Sequence, residues 1–139
     1  MIYEDIFNQT VTVLNKLRRA DNNSGKDIWV KTVLHNVAWY TKSAVKADGT
    51  SADISTYKII LIPFNSKYRP YSQWKTDHFD TFSMSVGDYI LMGEIDDSIN
   101  ADNIIKTISK YDADVCIVKH ISELHKRFNA QVQLKIEGV

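Results

Sequence analysis

The chain has 139 residues, of which 44% are hydrophobic and 24% charged, with 17 basic and 17 acidic side chains in balance. That length suits one domain, residues 1–139, with a core large enough to fold without staples, and the composition excludes a disordered chain. Zero net charge argues against a dedicated nucleic-acid binder, which needs surplus cations to neutralise phosphates, and leaves little self-repulsion to oppose association.

In chain order, Met1 to Phe7 reads as a lead-in held by Ile2, Tyr3, Ile6 and Phe7. Thr10 to Leu17 alternates and is β-branched, which predicts a first strand. Arg18 to Lys26, with Asp21-Asn22-Asn23-Ser24-Gly25, is a polar turn. Ile28 to Tyr40 is a second extended stretch, and apolar residues on both of its faces predict a bend near His35-Asn36. Thr41 to Thr56 is polar, lacks a helical stripe and exceeds the usual loop length, so it is expected to be a long functional or mobile connection. Tyr57 to Phe64 predicts another strand, in which Pro63, lacking an N–H, marks the end or an edge position. Asn65 to Thr81 is a second long connection, rich in rings: Tyr68, Tyr71, Trp74 and Phe79. Such rings either anchor a partner or fold back over an open end of the core.

Val86 to Ile95 is the stretch the rest is organised around. Gly87-Asp88 is a turn signal, Tyr89 to Met92 is an aromatic and aliphatic run too short for a helix, and Gly93 reads as a bulge or a close-approach glycine before Glu94-Ile95 resume the strand. Ser98 or Asn100 supplies helix-start chemistry, and Ile104, Ile105 and Ile108 with Tyr111 make a helical stripe that Asp112-Ala113-Asp114 ends. Val115 to Ile121 and Gln131 to Gly138 read as strands, separated by Ser122 to Ala130, a polar turn or one helical turn. The order β-β-β-β-α-β-β predicts a mainly β fold: a small, partly open barrel of about six strands with one short helix.

Chemistry is sparse in this sequence. The lone Cys116 excludes an intrachain disulfide and reads as a small core hydrophobe. His120 sits four residues from it, too far along a strand to serve as its base. His35, His78, His120 and His125 have no zinc-site spacing, and no phosphate-binding glycine loop is present. Asp96-Asp97 and Asp112 with Asp114 flank the helix and read as caps and terminators. Lys16, Arg18, Arg19 and Lys126-Arg127 are the densest cations and read as solvated turns. No catalytic residue, metal site or cofactor is expected. Neither a signal peptide nor a run long enough to cross a bilayer is legible, which predicts a chain made in a reducing cytoplasm with no membrane partner.

Nearly the whole chain resembles the short head–tail joining proteins of tailed phages and Gram-positive prophages. The features that carry the resemblance lie in order. They are the opening strand Thr10 to Lys16, the second strand from Trp29 to Trp39 with Thr32-Val33-Leu34-His35-Asn36-Val37, the segment Ile59 to Pro63, and Gly87 to Ile95. The resemblance implies an SH3-like barrel without enzymatic activity. It implies a virion neck component, assembled in the host cytoplasm and built as a ring of copies beneath the portal. Its partners would be portal or adaptor and tail terminator proteins, with at most transient, non-specific DNA contact. By position, Thr41 to Thr56 would be the assembly or channel loop, with Lys42, Lys46, Asp48 and Asp53 as its charges. The competing expectation is a small barrel that binds a peptide or ligand through residues 65–81, with Tyr68, Tyr71 and Trp74 as contact rings.

Overall fold

The structure is a computed structural model that describes residues 6–47, 52–123 and 132–139. The lead-in residues Ile2 and Tyr3, together with Asp48, His125 and Lys126-Arg127, lie outside the described residues. Six antiparallel strands run in the order β1 (Gln9–Leu17), β2 (Ile28–Ala47), β3 (Ala52–Pro63), β4 (Tyr89–Met92), β5 (Val115–Glu123) and β6 (Val132–Gly138). They close on themselves around the barrel as β1-β2-β3-β6-β5-β4. The mainly β barrel legible in the sequence is therefore a complete ring, not a partly open one, because β4 pairs with β1 from Val11↔Met92 to Leu14↔Tyr89. A single helical turn, α1 (Tyr71–Trp74), precedes β4, and the two-turn helix α2 (Ile104–Tyr111) joins β4 to β5.

Two cores result. The barrel lumen is filled by alternate residues of every strand, among them Val11, Val13, Leu34, Ile60, Ile90, Cys116, Val118, Leu134 and Ile136, with Phe82 and Met84 added from the segment before β4. The second core lies on the outer side of β1, β4 and β5, where Leu14, Leu91 and Val115 pack against Ile95 and Ile104. This double burial explains the unbroken apolar run in β4: Ile90 faces the lumen and Leu91 the helix, so neither face of the strand meets water. Within α2 the stripe is Ile104, Thr107, Ile108 and Tyr111, whereas Ile105 is 68% exposed. Ile105 follows Ile104 by about 100° around the helix and so leaves the packed face.

Two strand expectations are corrected. β4 does not resume after Gly93, whose φ is +82°. The Thr12 hydroxyl donates to the Gly93 carbonyl at 2.7 Å and accepts from Ile95 N–H at 3.2 Å, so a side chain takes over where a neighbouring strand would have paired. The larger correction concerns Thr41 to Thr56. It is not a connection: β2 and β3 continue through it as a hairpin, paired from Ala38↔Leu61 to Ala47↔Ala52. The predicted bend in β2 does form, with Asn36 at φ +59° and a register shift opposite Gln9 and Val11. At that bend β2 leaves β1 and turns to β3.

Candidate functional site

The hairpin is the first surface of interest. β6 pairs with β3 only from Lys58 onward, so among the described residues the rungs from Lys42↔Tyr57 to Ala47↔Ala52 have no third strand. At about 3.3 Å per residue, these six rungs make a two-stranded arm roughly 20 Å long. Lys42 is exposed on it, and the register sets position 46 opposite position 53, so the sequence-predicted Lys46 and Asp53 occupy one rung. At its base the Ser43 and Thr56 hydroxyls lie 3.5 Å apart across the strands.

The ring-rich connection folds back over the barrel. Trp74 is fully buried, with its Nε1–H donating to the Thr81 carbonyl at 3.3 Å. Tyr68 packs on Phe82 with ring centroids 5.6 Å apart, and its hydroxyl donates to Glu123. Burial, together with that carboxylate, pushes the Tyr68 phenol far above its ordinary range. Tyr71 is held on three sides: it donates to Asp21 at 2.6 Å, accepts from Arg18 N–H at 3.1 Å, and lies under the Arg18 guanidinium at 4.3 Å. Trp74 as a partner contact is thus corrected, since its ring is spent on the core, while Tyr68 and Tyr71 are tied into intramolecular contacts. The ring that does face solvent is Phe79, 90% exposed. It precedes Asp80, whose φ is +53° and whose carboxylate is 3.3 Å from Lys67. An isolated aromatic inside the polar run Lys75 to Asp80 was the only signal for it in the sequence.

Beneath this cap lies a buried polar cluster. Asp88, 2% exposed, accepts hydrogen bonds from Asn15 Nδ2 at 2.9 Å, Lys16 N–H at 3.1 Å and Ser85 N–H at 2.9 Å. Asn15 also brackets Ser83, donating to its carbonyl at 2.7 Å and accepting from its N–H at 3.1 Å. Burial pushes the Asp88 carboxyl up to about 6 against the pull of these donors. Its partners tie β1 to the segment leading into β4, which is a structural duty. Gly87-Asp88 therefore forms a turn, as its sequence implied, and the turn pairs with β5 through Gly87 N–H to Val118 O at 2.9 Å.

The remaining candidates disperse. Cys116 is fully buried in the lumen, and burial pushes its thiol up to about 11. His35 is exposed beside Thr10 at 3.1 Å, and His78 packs on Trp74 with centroids 5.6 Å apart. Asp97 accepts from the Tyr111 hydroxyl at 2.6 Å and pairs with Lys110 at 3.1 Å, and these two donors hold its carboxyl below the usual range. It fastens α2 to the loop before it. Among the described residues no group of three His, Cys, Asp or Glu side chains could hold a metal, and no helix is long and apolar enough to cross a membrane. A surface cleft of about 410 Å³ beside β2 and β3 is lined by Ile6, Asn8, Ala38, Trp39, Tyr40 and Leu61, with Trp39 also packed against the lumen core.

No curated protein and no solved structure matches the chain. A family model does match, over residues 6–139, and so takes in the whole barrel, the arm and the cap. The chain belongs to that family, described as a family of unknown function (DUF6751).

Proposed function

We propose that this protein is a non-enzymatic assembly component of a tailed-phage neck, a head-completion or head–tail joining protein that works as one copy in a ring beneath the portal. The observation that carries the reading is the arm. The outer six rungs of the strand pair, roughly 20 Å long, pair with no further strand among the described residues and so offer free edges. The arm is shaped to reach a neighbouring copy, a portal or adaptor subunit, a tail terminator or the channel. The resemblance of the strands Thr10 to Lys16, Trp29 to Trp39 and Gly87 to Ile95 to head–tail joining proteins supports the same role. Lys42 and Lys46 are offset by Asp48 and Asp53, a charge balance suited to a surface that DNA passes without being gripped. The virion neck, reached from the host cytoplasm, is the corresponding location. A ligand-binding role for residues 65–81 draws no support from Trp74, whose ring is buried.

The test is genetic. Loss of the gene from the source phage or prophage is expected to give packaged heads without tails, or heads that leak DNA, by electron microscopy. Deleting residues 45–52 should leave the barrel folded by circular dichroism yet fail to restore infectious particles. Normal tailed particles from the full knockout would end the neck reading.

A further inference from the structure

Two features of the surface are complementary to each other. Phe79 is a ring held out in solvent, 90% exposed, on a turn that its neighbours brace: the Thr81 hydroxyl donates to Asp77 O at 2.7 Å and Lys67 pairs with Asp80 at 3.3 Å. A braced, protruding aromatic pays little ordering entropy when it docks. The cleft on β2 and β3 is the matching hole, about 410 Å³ with the apolar walls Ile6, Trp39, Tyr40 and Leu61. That is the size and lining of a pocket that takes a ring-sized group.

Charge agrees with shape. Exposed Asp77 and Asp80 stand on either side of Phe79. At the cleft, exposed Lys42 lies two residues beyond Tyr40 on the same face of β2, and Lys135 is the register partner of Leu61. Asp80 is spent on Lys67 and Lys135 on Glu137 at 3.5 Å, so the charges left to meet across the contact are Asp77 beside the ring and Lys42 beside the cleft, and zero net charge offers no long-range repulsion between copies.

We propose that Phe79 of one copy seats in the Trp39–Tyr40–Leu61 cleft of a second copy. Knob and hole are different patches of one chain, so the contact is head to tail and propagates, closing into a ring where the rotation allows. It deepens the ring reading by naming the contact between copies and rests on that reading only for its setting. A chain that self-associates this way but is dispensable for phage particles would sink the neck role and leave the contact standing.

The experiment uses single cysteines, with buried Cys116 left in place. Phe79→Cys and Tyr40→Cys chains, each alone, should give no disulfide-linked species under mild oxidation. Mixed, they should give one linked dimer and nothing larger. A chain carrying both should give a ladder of oligomers. Lys42→Cys replaces Tyr40→Cys should the latter melt early. By sedimentation, Phe79→Asp should weaken self-association at least tenfold with unchanged melting, since an exposed ring supports no core. Three results would each overturn the proposal. They are a wild-type chain that stays monomeric at about 1 mM, Phe79→Cys linking to itself, or a mixture that does not link.

Discussion

Replacing Gly138 with alanine tests how tightly the barrel is closed. A Cβ built there would lie 2.1 Å from the Ile117 carbonyl oxygen, 2.5 Å from Cys116 Sγ and 2.9 Å from the Ile117 carbonyl carbon. The nearest obstacle is backbone and is more than an ångström inside ordinary contact, so no rotamer change relieves it. Gly138 pairs with Lys58 on one side and Val118 on the other, and Ile117 and Val139 exchange hydrogen bonds of 2.9 and 3.2 Å beside it. Making room means parting β5 from β6. Overpacking costs about 1–3 kcal/mol, and weakening those two bonds adds about 1 kcal/mol. A loss of about 2–4 kcal/mol lowers Tm by roughly 8–15 °C for a chain of this length. Thermal melting by circular dichroism measures it, with Gly25→Ala as the control. Gly25 has φ +78° and open space around it, so only its backbone conformation resists, at about 1 kcal/mol. A Gly138→Ala chain melting within 2 °C of wild type would refute the closure argument. Equal losses from both variants would trace the effect to chain flexibility instead of space.

Two further outcomes follow from the second core and the buried cluster. Ile104→Asp should unfold the chain, because a charge placed at that 6% exposed position costs several kcal/mol, whereas Ile105→Asp at 68% exposure should move Tm by only a few degrees. A folded Ile104→Asp variant with native melting would remove α2 from the core. Asp88 sets a pH dependence: its folded carboxyl titrates at about 6, above the 3.8 of the unfolded chain. Its contribution is fully present below 3.8 and is lost as pH rises through about 6, up to roughly 3 kcal/mol. Stability of wild type relative to Asp88→Asn should therefore fall between pH 4 and 6.5 in denaturant titrations. A flat or rising difference would show that the three donors outweigh burial.

How much of this was legible in the sequence depended on whether an element buries a face. β6 alternates because one side fills the lumen, β5 opens on an apolar run because both of its faces are covered there, and the bend at Asn36 was readable because β2 changes partners there and its alternation breaks. The arm was not readable as strand. Thr41 to Ala47 does not alternate, and only Thr41, Val45, Ile54 and Thr56 hint at extension. Adjacent isoleucines at 104 and 105 hid which of them packs, and the ending of β4 turned on a Thr12 hydroxyl more than eighty residues away. For the candidate surfaces, composition located the rings of residues 65–81 but not their directions: Trp74 and Phe79 are five residues apart and have opposite fates.

Closure also dictates an order of assembly. β6 is the last of the six strands along the chain, yet it sits between β3 and β5. A chain still emerging from the ribosome can pair β1 with β2, β2 with β3, and β4 with both β1 and β5, but it then holds an open sheet with two bare edges. Each edge offers unpaired N–H and C=O groups to any passing strand. The barrel becomes safe only when residues 132–138 slot in, joining β3 and β5, which are far apart in sequence, in a step that closes long loops and is slow for that reason. Nascent chains that stall before Val132 are consequently the ones that chaperones must hold.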